Sequence, residues 1–170
     1  MKSSAPSQLP DINSEFDMVL FREVIRDLHT TFSQYEFHKR LSDEQAEVVY
    51  FVGHTLFTQG KFEKALNVFK LILLYRPFDP RNLEAYATTL KRLGRFEEAI
   101  PVYVSALIFG ELSSPSPSIH IAECLAALGR SDESEKMLRP ILDLTELNSA
   151  YAGVRARAEN LLSVLKTSTR

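Results

Sequence analysis

A single cysteine, Cys124, leaves no partner for an internal disulfide, the pattern of a chain that folds in a reducing compartment. Excess charge of either sign is also scarce. Twenty Lys and Arg against 22 Asp and Glu give a formal net charge of -2 and a pI near 6.1, so no cationic surplus is available for phosphate and nucleic acid is disfavoured as a partner. Long apolar runs are missing: the richest segment, LILLYRPF at residues 71–78, is short and carries Arg76, whereas a spanning helix needs roughly 18–20 apolar residues. The opening MKSSAPSQLP has no apolar stretch after its lysine, so no cleaved secretion signal is expected. These absences point to a cytoplasmic protein that does not insert into membranes.

What the sequence does contain is repetition. With 45% apolar and 25% charged residues over 170 positions the chain has an ordinary globular composition, and it writes one phrase twice. GKFEKALNVF at residues 60–69 returns as GRFEEAIPVY at residues 94–103, 34 residues later. A period of about 34 residues is that of tetratricopeptide helix-turn-helix repeats, with small and large apolar residues in fixed slots on both sides of a turn glycine. Aligned on Gly60, residues 46–79 place Val49, Val52, Gly53 and Leu56 in a first helix and Phe62, Ala65, Phe69 and Ile72 in a second, closed by Pro77. Aligned on Gly94, residues 80–113 give Leu83, Tyr86, Ala87 and Leu90, then Phe96, Ala99, Tyr103 and Ala106, with Leu112 in place of the closing proline. A degenerate third copy, residues 115–147, turns at Gly129 with Ile121, Ala122 and Leu125 before it and Leu138 and Ile141 after it; Ser134 stands where the small alanine belongs. Small residues let paired helices approach, and glycine supplies the left-handed backbone that ends the first helix of each pair. The expected fold is all-α: three tandem repeats flanked by an N-terminal amphipathic helix and a C-terminal capping helix. Pro101 and Pro140 fall inside second helices and are expected to kink them, setting the curvature of the solenoid.

The flanks complete the organisation. Residues 1–11 are rich in Ser and Pro and read as a disordered tail. Residues 12–40 hold an amphipathic helix whose Met18, Phe21, Ile25, Leu28, Phe32 and Tyr35 recur at alternating spacings of three and four, a coiled-coil-like seam. The first repeat, a second copy of the protein or another partner would each cover that seam. Ser42 and Gln45 have the spacing of a capping box for the first repeat helix, so residues 41–147 form the repeats. Residues 148–170 follow as a closing helix, whose stripe runs from Leu147 through Tyr151, Val154, Ala158, Leu161 and Leu165, with Arg155, Arg157 and Glu159 turned outward.

In stacked helix pairs the first helices line a concave face, and the slots that point away from their partners form a groove. Those slots are Glu47, Tyr50, His54 and Phe57 in the first repeat, Arg81, Glu84, Thr88 and Lys91 in the second, with Arg92 beside them, and Ser116, Ile119, Glu123 and Ala126 in the third. Tyr50 and Phe57 are large apolar groups that the solenoid core does not need, and they suit an extended peptide with apolar anchors unless the N-terminal helix covers them. Arg81, Glu84, Lys91 and Arg92 either meet a peptide's polar groups or form a solvated face with internal pairs. Catalysis has no comparable support. His120, Glu123 and Cys124 sit within five residues of one helix but lack the further ligands a metal needs; they read as a packed or hydrogen-bonded trio. No phosphate-cradling glycine loop or nucleophile elbow occurs, so neither enzyme activity nor a cofactor is expected.

Several stretches resemble one family. LSDEQAEVVYFVGHTLFTQGKFEKALNVF, the FDPRN that opens the second repeat, GRFEEAIPVY, HIAECL at residues 120–125 and the late RAENLLSVL are similar to the class II chaperones of type III secretion, the SycD/LcrH-like translocator chaperones. The likeness runs over about residues 41–165. It implies a non-enzymatic cytoplasmic chaperone that keeps hydrophobic translocator proteins soluble and unassembled before export, holds an extended segment with spaced Pro and Leu anchors in its groove, and forms a homodimer through the N-terminal helix. Under the resemblance the groove role falls to Tyr50, His54 and Phe57, with Thr88, Lys91 and Glu123 further along. A general tetratricopeptide adaptor and a scaffold subunit of the secretion apparatus are the alternatives.

Overall fold

The computed structural model describes residues 41–110, 113–146 and 149–168. The N-terminal seam and Leu112 and Leu147 lie outside the described residues. Among the described residues seven α-helices follow one another: α1 (Asp43–Thr58), α2 (Phe62–Tyr75), α3 (Pro80–Arg92), α4 (Phe96–Phe109), α5 (Ser116–Ala127), α6 (Ser131–Glu146) and, after a 3-10 turn at Ser149–Tyr151, α7 (Ala152–Ser168).

Local chemistry sets the ends of these helices. Ser42 starts α1 with a complete capping box: its Oγ accepts from the Gln45 N–H at 3.2 Å while its own N–H donates to Gln45 Oε1 at 2.9 Å. Asp79 caps α3 by accepting from the backbone N–H groups of Arg81 and Asn82, and Pro80 occupies the first turn, where no donor is required. The three turn glycines end α1, α3 and α5 in the same way. Gly60, Gly94 and Gly129 take φ of 72°, 75° and 74°. At each, the glycine N–H and the next N–H reach back to the last turn: Gly60 to Phe57 and Lys61 to Leu56, Gly94 to Lys91 and Arg95 to Leu90, Gly129 to Ala126 and Arg130 to Leu125. This is the Schellman arrangement, which satisfies carbonyls that would otherwise lack donors.

Each helix packs on the next, and α1 touches α3, α3 touches α5 and α5 touches α7. The first helices of successive pairs therefore lie side by side along one face, which is the packing of a solenoid. The core runs through the stack in three connected clusters. Ala46, Ala65, Phe69 and Ile72 form the first; Leu66, Ala87, Leu90, Ala99, Tyr103, Ile121, Cys124 and Leu125 the second; Ile119, Ala122, Leu138, Ile141, Ala158 and Leu165 the third. The small slots are the tightest places: Ala65, Ala87, Ala99 and Ala122 are fully buried, and a Cβ on Gly53 would lie 2.7 Å from Phe69 Cε1. Ser134 fills its small slot with no exposure and donates its hydroxyl to the Ala122 carbonyl at 2.8 Å.

Three sequence expectations require correction. Val52, placed among the packing slots, is 45% exposed; with Val48, Phe51, Leu71 and Leu74 it leaves an apolar surface on α1 and α2. Ile119, placed in the groove, is fully buried because α7 packs across α5 and α6 and draws it into the third cluster. Arg157, expected to point outward, reaches Glu123 on α5. Pro101 and Pro140 sit inside α4 and α6 on exposed positions, and both helices continue through them. No helix among the described residues is long and apolar enough to cross a membrane.

Candidate functional site

Tyr50, His54 and Phe57 stand on α1 at spacings of four and three, so they share a face one turn apart. That face looks across at Arg81, Glu84, Ala85 and Thr88 of α3, and Phe69 of α2 closes the bottom. Together these side chains line a cavity of about 250 Å³. Six of the residues singled out from sequence as groove positions are thus in one place, while Phe69 and Ala85 join them from packing and groove-margin slots.

The walls are aromatic and held by ring contacts. Tyr50 lies 6.3 Å from the His54 ring and 5.8 Å from Phe69, and Phe57 meets Phe62 edge-on at 5.3 Å. The Arg81 guanidinium lies over the Tyr50 ring at 4.4 Å and forms a fork with both carboxylate oxygens of Glu47. Partial burial pushes the Tyr50 hydroxyl up from its ordinary value, the Arg81 charge opposing it. The second cation, Arg92, covers Phe62 at 5.0 Å rather than facing the cavity.

Lys91 and Glu123 do not reach this cavity. They belong to a polar cluster further along the concave face, where α3, α5 and α7 converge. Lys91 Nζ lies 2.5 Å from Glu123 Oε2 and 2.6 Å from His120 Nδ1. Arg157 Nη2 donates to Glu123 Oε1 at 2.6 Å and approaches His120 Nδ1 at 3.2 Å. Burial would raise the Glu123 carboxyl, but hydrogen bonds from His120, Lys91 and Arg157 outweigh it and hold the group well below the usual carboxylate range. Beneath the cluster the His120 ring stacks on Tyr103 at 5.1 Å, and Tyr103 Oη shares a 2.9 Å hydrogen bond with Thr88 Oγ1. Burial drives the Tyr103 hydroxyl far up, against the effect of Thr88. Cys124 is buried among apolar neighbours, its thiol pushed up to about 11 by desolvation, which leaves little nucleophilic thiolate. Of the trio on this helix, His120 and Glu123 are joined by a 3.1 Å hydrogen bond and Cys124 is packed in the core.

Arg157 is the residue of this polar cluster that sequence inspection left out of the groove. A signal was available: it stands three residues after Val154 and one before the buried Ala158, on the margin of the packing stripe rather than opposite it.

Across known proteins, the chain is 24% identical over 126 residues to low calcium response locus protein H of Yersinia pestis, a match covering 74% of each chain. It superposes on the Yersinia enterocolitica type III secretion chaperone SycD, crystallised with a peptide of the translocator YopD, at a TM-score of 0.69 and 22% identity, covering 76% of this chain and 98% of SycD. The chain is thus similar to low calcium response locus protein H over three quarters of its length and shares the fold of SycD. The same architecture recurs in the first tetratricopeptide domain of Spaghetti (RPAP3) bound to an HSP90 peptide, at a TM-score of 0.64 and 21% identity, covering 76% of this chain and 96% of that one. The solenoid is therefore a tetratricopeptide fold. No family model matches the chain.

Proposed function

We propose that this chain is a cytoplasmic type III secretion chaperone that holds an extended segment of a hydrophobic translocator protein in its concave groove. The observation that carries this is the aromatic cavity between α1 and α3, which offers the half-buried Tyr50 and Phe57, with the core residue Phe69 behind them, to an incoming side chain. An apolar anchor from the client fills that cavity; the rest of the segment runs along α3 and α5. Each buried anchor contributes about 1.5–3 kcal/mol. Two or three of them, less the cost of ordering the segment, leave roughly micromolar affinity, enough to keep a client soluble and weak enough to release it for export.

The working division of the chain follows from this function. Residues 41–147 form the client-binding solenoid, residues 148–170 close its far end, residues 12–40 associate two copies into a homodimer, and residues 1–11 are a tail. The apolar surface of Val48, Phe51, Val52, Leu71 and Leu74 at the first pair supports an interface at the N-terminal end, since a patch of this kind calls for cover. Substituting both Tyr50 and Phe57 by Ala tests the groove. The variant co-expressed with its translocator should retain full helical circular dichroism yet lose the soluble client; undiminished co-purification would move the site elsewhere.

A further inference from the structure

The charged side chains around the groove are not equally satisfied. Arg81 is neutralised by Glu47 in a fork. Lys91 and Arg157 both bond Glu123, one on each carboxylate oxygen. Glu84 differs. Its Oε1 accepts from the Ser116 hydroxyl at 2.6 Å, and the nearest nitrogen of His120, Nε2, is 4.0 Å away. Among the described residues no Lys or Arg lies within ion-pair distance of it. Its side chain is 33% exposed, and it stands on the cavity wall itself, one position from Ala85 and one turn from both Arg81 and Thr88. Glu84 is thus the carboxylate of the cavity wall that has no Lys or Arg in contact among the described residues, while the two cations further along the face, Lys91 and Arg157, are held together on Glu123. Low-dielectric aromatic walls on one side of that carboxylate reduce its screening by water.

We propose that Glu84 determines the charge preference of the groove, taking a Lys or Arg side chain next to the apolar anchor of the bound segment. The assignment rests on the groove function proposed above and narrows it. A segment with a cation at that position gives Glu84 an ion-pair partner, whereas an acidic residue there meets it at close range. Arg81 does not offset this discrimination, because its guanidinium is already committed to Glu47 and laid over Tyr50.

The test uses the full-length protein and short fluorescent peptides, built on a Ser/Gly background with two Leu anchors and differing only in the residue beside the first anchor: Lys, norleucine or Glu. Anisotropy titrations are run at about pH 8, above the ordinary imidazole range. The Lys peptide should bind about twofold to fivefold more tightly than the norleucine peptide, the range for a partly exposed pair, and the Glu peptide more weakly. Glu84→Gln keeps an acceptor for Ser116 and should level the three affinities; Glu84→Lys should invert their order. Equal affinities in the parent protein, with binding still abolished by Y50A/F57A, would overturn the role of Glu84 and leave the groove standing. Peptide binding that is absent, or that ignores Y50A/F57A, would overturn the groove function and the Glu84 assignment together.

Discussion

Replacing Gly53 by Ala sets two effects of opposite sign against each other. An alanine inside a helix is favoured over glycine by about 1 kcal/mol, so on helix propensity alone the substitution would stabilise α1. Packing opposes it. The new Cβ would lie 2.7 Å from Phe69 Cε1 and 3.0 Å from Cδ1 and Cζ, and Phe69 is 1% exposed with its ring between the two helices. Either the ring shifts toward the cavity it lines or α1 lifts from α2, at a cost of about 1–3 kcal/mol for an overpacked core. The expected result is a net loss of up to about 2 kcal/mol in urea unfolding followed by circular dichroism. Because Phe69 also forms the bottom of the cavity, client affinity should fall with stability. Gly94→Ala is the control: no atom lies within 4 Å of its Cβ, but its φ of +75° imposes a left-handed conformation that costs about 1–2 kcal/mol. It should destabilise without weakening the client. A Gly53→Ala protein more stable than its parent would refute close approach at this slot as the reason for the glycine.

Glu123→Gln removes the carboxylate shared by Lys91 and Arg157 and should cost about 1–3 kcal/mol at neutral pH, a half-buried charge pair being weaker than a fully buried one. Since the folded-state pKa of Glu123 is depressed, its stabilisation is complete above the unfolded value of about 4.3 and is lost as the pH falls below it toward the folded value. Parent and variant should therefore converge in acid, and a constant gap across that range would show that the pair is not the source. For the proposed homodimer, Ile25→Glu with Phe32→Glu should turn a dimer into a monomer by sedimentation while helical content persists; an unaltered dimer would place the interface outside the seam.

The helix ends and the groove set were legible because their causes are local. A positive-φ glycine, a Ser42–Gln45 box and an aspartate before Pro80 act within one turn, so a linear pattern carries them. Tyr50, His54 and Phe57 likewise share a face by spacing alone. The meeting of Lys91, Glu123 and Arg157 had no such signal: the first pair is separated by 32 residues and the second by 34, and their contact depends on how α3, α5 and α7 are stacked.

By itself, then, the sequence determined the all-α repeat, its turns and which residues recur together along each helix, since periodicity and backbone preference are properties of neighbouring residues. Tertiary structure alone decided which face was covered. It buried Ile119 under α7, left Val52 about half exposed, brought Arg157 across to Glu123 and paired Arg81, Lys91 and Arg157 with carboxylates of other helices, while Glu84 accepted from the Ser116 hydroxyl. Burial and charge pairing depend on distances between helices far apart in the chain, and those distances exist only once the solenoid has closed.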